Sequence, residues 1–115
     1  MNIVFTTQGT DWDSPIDPRF GRTRYFFVLN EETGDVQTVD NSAIDQEAHG
    51  AGPKTSQKLV ELGAEVLITG NGPGGNAAAV LKTTGVEIYV GAGEMTVKEA
   101  LEAYRNGELK KFQGV

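Results

Sequence analysis

The chain has 115 residues, 38% hydrophobic and 23% charged, which is one domain with enough apolar content for a core. A formal net charge of −6 and a pI of about 4.7 argue against nucleic acid as a partner, because neutralising phosphates needs clustered Lys and Arg. The absence of cysteine excludes disulfides, zinc–thiolate sites and thiolate-held iron–sulfur clusters.

The acidic balance leaves an anionic ligand open, since backbone N–H groups hold anions within negative proteins. The opening MNIVFTTQGT has no basic region and no long apolar stretch, so it does not read as a signal peptide. No run approaches the roughly 20 apolar residues of a membrane span. The expectation is a cytoplasmic protein with no membrane partner.

NIVFT (2–6) is a short apolar run with β-branched residues and reads as a buried strand. Residues 7–23 read as a long loop, with Pro15, Pro18, Gly21 and the acids Asp11, Asp13 and Asp17. A loop of that length in a compact domain is often functional. RYFFVLN (24–30) is a second strand, EETG (31–34) a hairpin loop, and DVQTVD (35–40) an alternating third strand.

Residues 41–52 form another loop and contain the only histidine, His49, within QEAHGAGPKT. Pro53 suits a first helical turn, Leu59 and Leu62 share a face, and Gly63 is placed to end the helix. EVLIT (65–69) is nearly all apolar, as a central strand covered on both faces would be. GNGPGGN (70–76) precedes a small-residue helix, AAAVLKTT (77–84), stopped by Gly85. VEIYV (86–90) is the fifth strand. The last helix opens with the capping-box pair Thr96 and Glu99, presents Val97, Ala100, Leu101 and Tyr104 on one side, and ends at Gly107.

The order β-β-β-α-β-α-β-α, with right-handed crossovers, predicts a three-layer α/β/α fold. Its five-stranded mixed sheet has the order 3-2-1-4-5, with strand 2 antiparallel to the rest. Strands 1, 3, 4 and 5 then end on one rim, where open α/β sheets bind their ligands. Four loops meet there, after strands 1, 3, 4 and 5, together with the helix N-termini, which expose unpaired N–H groups. The rim suits a bulky anion, with His49, Arg19 and Arg22 as side-chain contacts.

Each of these residues also has a plainer reading. His49 fits a solvated loop position as well as a ligand. The glycines fit tight turns and helix caps. Arg19 and Arg22 fit surface pairing with Asp17 or Asp13, and Phe20 fits a plug that folds the loop onto the core.

Other chemistries have weaker support. DWDSPID lacks the glycine and closing glutamate of a calcium loop. Gly70, Gly72 and Gly75 match G-x-G-x-x-G, and Glu94 lies about 20 residues on, where a ribose-binding acid would. That makes a nucleotide-binding protein the main alternative, with a protein–protein adaptor behind it. There is no P-loop lysine and no nucleophile elbow. The sheet order is that of ribonuclease H folds, but the first strand offers no Asp for a two-metal site. Catalysis is not expected.

With DPRFGR (17–22) followed by YFFV, HGAG (49–52), the run ELGAEVLITGNGPGGNAAAVLKTTGVEIYV (61–90) and NGEL (106–109), nearly the whole chain resembles the dinitrogenase iron–molybdenum cofactor biosynthesis domain family. Members bind or carry nitrogenase cofactor precursors, and one branch, the orange proteins, holds a molybdenum–copper sulfide cluster. The resemblance implies a ribonuclease H-like fold without nuclease activity. It implies a carrier that holds an anionic metal–sulfur cluster non-covalently, and partner proteins that donate and accept the cluster. The expected cradle is Arg19, Phe20, Gly21, Arg22, His49, Gly50, Gly52, Gly70, Asn71, Gly72, Gly74, Gly75, Gly91 and Gly93, with His49 as the candidate metal ligand.

Overall fold

The computed structural model describes residues 1–41, 51–73 and 75–112, the side chains at 51–53 and 75–77 excepted. Strand β1 (Asn2–Thr7) lies at the centre of the sheet, antiparallel to β2 (Tyr25–Asn30) and parallel to β4 (Val66–Ile68). Strand β3 (Val36–Asp40) pairs antiparallel with β2, and β5 (Glu87–Val90) pairs parallel with β4. A short strand β6 (Lys110–Lys111) adds antiparallel to β5, giving the order β3-β2-β1-β4-β5-β6. The five-strand order read from the sequence is present, extended by this sixth strand. Its two residues are both lysine, so no apolar pattern announces it, and backbone pairing with Tyr89 and Val90 creates it.

The described helices are α1 (Ala51–Glu61), α2 (Gly75–Lys82) and α3 (Val97–Arg105). Pro53 falls within the first turn of α1, where its missing N–H costs nothing. The helix ends in a Schellman motif. Gly63 takes φ +68°, its N–H donates to the Val60 carbonyl, and the Ala64 N–H donates to the Leu59 carbonyl. Helix α3 starts with a complete capping box. The Glu99 N–H donates to the Thr96 hydroxyl, and the Thr96 N–H donates to the Glu99 carboxylate.

Side-chain alternation along β1 divides the core between the two faces of the sheet. Ile3 and Phe5 join Phe27, Leu29, Val66 and Ile68 under Val97, Ala100 and Leu101 of α3. Val4 joins Phe26, Val28, Leu67 and Ile88 under Leu59 of α1 and Leu81 of α2. The central strands are therefore buried on both faces, as their unbroken apolar runs require. The result is the three-layer α/β/α arrangement of ribonuclease H-like folds. No described helix is long and apolar enough to cross a membrane.

Candidate functional site

The parallel strands deliver two threonines to the rim. Thr6 near the end of β1 and Thr69 just after β4 are fully buried, with their hydroxyls 2.8 Å apart. The Thr6 hydroxyl donates to the Asp17 carbonyl at 2.8 Å, and the Asp17 N–H donates back to the Thr6 carbonyl at 2.7 Å. The long loop is thereby fastened to β1. It is also fastened to the start of α3, because the Ile16 N–H donates to the Met95 carbonyl and the Val97 N–H to the Ser14 carbonyl.

The Asp17 side chain is fully buried. One carboxylate oxygen accepts the Arg19 backbone N–H at 3.0 Å and the Arg19 Nε–H at 3.1 Å. The other accepts Arg19 Nη2 at 3.2 Å and the Arg24 backbone N–H at 3.3 Å. Four donors satisfy a carboxylate that would be costly to bury unpaired. The Arg19 side chain itself is 55% exposed, so the ion pair joins a buried partner to an exposed one. This corrects the surface-pair reading, which put both partners in water. The D-x-R spacing carries the signal, since an aspartate commonly accepts the N–H two residues on.

Three loops meet backbone to backbone above these groups. A Cβ on Gly70 would lie 2.6 Å from the Cα of Pro18 and 3.0 Å from the Cα of Gly93. Only glycine permits this approach. The Asn71 N–H donates to the Pro18 carbonyl at 2.8 Å, and the Gly91 N–H to the Gly70 carbonyl at 3.0 Å. Gly91, at φ +95°, turns the chain after β5. The loops after β1, β4 and β5 thus form one hydrogen-bonded platform at the carboxyl ends of the strands.

The other expected residues spread around it. Phe20 is 3% exposed and packs with Val4, Phe26 and Leu59, so its ring serves the core. The Gly21 carbonyl accepts the Thr55 hydroxyl of α1 at 2.9 Å, tying the loop to that helix. Arg22 is half-buried beside it and Asn71 is exposed. Gly72 faces the Phe112 ring so closely that any Cβ there would overlap it. Gly52 lies in the first turn of α1, and Gly75 is the first residue of α2. His49, Gly50 and Gly74 lie outside the described residues.

The sequence reading missed four groups that organise this end of the sheet: Thr6, Thr69, Asn41 and Phe112. Asn41 is 2% exposed and sits at the end of β3. Its amide donates to the Thr23 carbonyl at 3.0 Å and to the Thr55 hydroxyl at 3.4 Å, while its Oδ1 has no partner among the described residues. Nothing in its sequence position distinguishes it from an ordinary loop asparagine.

Among the described residues no three His, Asp or Glu side chains converge as a metal site. Direct ligation by a carboxylate cluster is therefore not what these residues offer. What they bring together is the Arg19 guanidinium on its buried carboxylate and the close backbone approach at Gly70. The pKa of Tyr104, late in α3, is raised above the usual tyrosine value by burial first, and then by Tyr89, Glu31 and Glu87.

The site is a platform of fastened glycine loops at the rim of a ribonuclease H-like sheet. The chain matches the dinitrogenase iron–molybdenum cofactor family over residues 1–107 and belongs to that family. Its fold superposes on the apo form of the orange protein from Desulfovibrio gigas with a TM-score of 0.92. The two share 34% identity over 98% of this chain and 93% of that one. A NifB-like protein of the DUF35 family from Thermotoga, solved by NMR, superposes with a TM-score of 0.84. Identity is 38% there, over 99% of this chain and 95% of that one. A sequence search of curated proteins returns no match.

Proposed function

We propose that the protein is a non-catalytic carrier for an anionic metal–sulfur cluster, an iron–molybdenum cofactor precursor or a related molybdenum-containing cluster. The cluster is cargo, received from one protein and passed to another. Membership of a family named for the nitrogenase cofactor supports a role in handling that cofactor, and the likeness to the orange protein supports the same reading.

The observation that carries the reading is the junction of Pro18, Gly70 and Gly93. It brings the loops after β1, β4 and β5 together at the carboxyl ends of parallel strands, beside an arginine held by a buried carboxylate. Sulfide-rich clusters present a large, soft, negative surface. N–H donors and guanidinium groups complement such a surface without forming a covalent bond. A carrier also needs to release its cargo, and a site without thiolates is suited to that. His49 adds an imidazole that can hydrogen-bond a sulfide or ligate an exposed metal.

The test is anaerobic titration of the protein with tetrathiomolybdate and cuprous ion, followed by visible absorption. Saturable charge-transfer bands are expected in the wild type, weakened in Arg19→Ala and in His49→Ala. Wild-type spectra identical to those of the free reagents would reject the carrier reading.

A further inference from the structure

We infer that Asp17 is the positioning residue of the rim: its buried carboxylate fixes the guanidinium of Arg19 in the orientation in which it meets the anionic cargo. The inference deepens the carrier reading and rests on it. Asp17 is immobilised before it reaches Arg19. Its backbone is locked in both directions to Thr6 of β1, through the Asp17 N–H at 2.7 Å and the Asp17 carbonyl at 2.8 Å. The Thr6 hydroxyl also lies 2.8 Å from that of Thr69, which leads into the glycine loop after β4. Asp17 therefore sits at a fixed place relative to two central strands.

From that place it grips Arg19 at three points: the backbone N–H, Nε and Nη2, at 3.0, 3.1 and 3.2 Å. Paired Nε and Nη2 donors against the two carboxylate oxygens set the plane of the guanidinium as well as its position. Ordering a 55% exposed arginine at the moment of binding would cost affinity. The carboxylate pays that ordering cost in the fold rather than at the binding step. Arg24 contributes only its backbone N–H to the same carboxylate, so the loop from 17 to 24 closes around one buried charge.

Asp17→Asn is the discriminating substitution. Each carboxylate oxygen takes two N–H donors, so an amide must turn its NH2 toward one of those pairs. The pairing then fails on one side while size and burial are kept. Two readouts test the inference. The first needs no ligand: solvent exchange of the Arg19 Nε–H and Nη2–H, followed by NMR and read at whichever of the two loses its oxygen acceptor. Exchange is expected to be at least about tenfold faster in Asp17→Asn than in the wild type, as loss of a charge-assisted hydrogen bond implies. Equal exchange would overturn the inference.

The second readout is a double-mutant cycle on the affinity for tetrathiomolybdate with cuprous ion. Asp17→Asn is expected to weaken binding about tenfold in the wild-type background and to have little further effect once Arg19 is alanine. An equal loss in both backgrounds would mean that Asp17 acts through general structure, and would overturn the inference. If Asp17→Asn does not fold, Arg19→Lys replaces it. Lysine keeps the charge and loses the two-pronged geometry, so wild-type affinity in that variant would also overturn the inference. Failure of the wild type to bind the probe would reject the carrier reading itself, and with it a cargo-orienting role for Asp17. The exchange measurement would then still show whether the fork is formed.

Discussion

Gly70 and Pro18 touch backbone to backbone: a methyl group on the glycine would lie 2.6 Å from the proline Cα. The contact joins the loop after β4 to the loop after β1, and the hydrogen bond from the Asn71 N–H to the Pro18 carbonyl closes it. Neither side can yield by turning a side chain.

Gly70→Ala should therefore push the two loops apart and destabilise the fold by about 1–3 kcal/mol, the range for forcing atoms into a packed region. Urea unfolding checks this. An unchanged midpoint would show that the junction is looser than the contact implies. In the carrier reading the same variant also loses affinity for the cluster, because the platform no longer closes.

Gly72 meets a side chain instead, the ring of Phe112. Gly72→Ala should cost stability in the wild type and much less when Phe112 is also alanine. The coupling should fall in the 0.5–3 kcal/mol range typical of residues in contact. The same ring crowds the glycine loop that would have to cradle a pyrophosphate. Calorimetry with NAD at millimolar concentration is expected to give no binding heat, and saturable heat would revive the nucleotide alternative.

The capping box of α3 gives a local prediction. Thr96→Ala removes the hydroxyl that accepts the Glu99 N–H at 3.2 Å and should cost about 1 kcal/mol. Thermal unfolding measures it. Because Pro15 bridges to Thr96, loss of the cap is also expected to loosen the start of the long loop. Faster amide exchange at Ile16, whose N–H donates to the Met95 carbonyl, would report that loosening.

Tyr104 sets an alkaline limit. Its pKa is raised from 10.0, by burial first and then by the negative groups around it, so the folded state holds its proton more tightly than the unfolded chain. The sign follows: this contribution to stability is complete below about pH 10, the unfolded value, and is lost as the pH rises through the folded value. Tyr104→Phe should flatten the fall in stability above that pH. Parallel curves for the two proteins would remove Tyr104 as the cause.

Much of this architecture is legible in the sequence. The double-sided burial of Val66–Ile68 follows from an unbroken apolar run, and the ends of α1 and α3 follow from Gly63, Gly107 and the Thr96–Glu99 pair. Strand β6 is not legible, because Lys110 and Lys111 form a strand only through pairing with an existing edge. At the rim, periodicity and spacing locate the loops but not their mutual contacts. That Gly70 is glycine because of Pro18, 52 positions earlier, is a fact of tertiary approach. The roles of Thr6 and Asp17 are hidden for a related reason: the burial of a threonine closing an apolar strand does not say what its hydroxyl bonds, and an acid in a polar loop reads as solvated until the fold buries it.

The most direct test of the central claim is amide chemical-shift mapping of the protein under anaerobic titration with tetrathiomolybdate and cuprous ion. The expected shifts concentrate on residues 17–22, 70–72 and 91–93, and leave Asn2, Asn30 and Leu62 at the opposite end of the sheet unchanged. Shifts centred on that opposite end, or none at saturating probe, would contradict a cluster site at the rim.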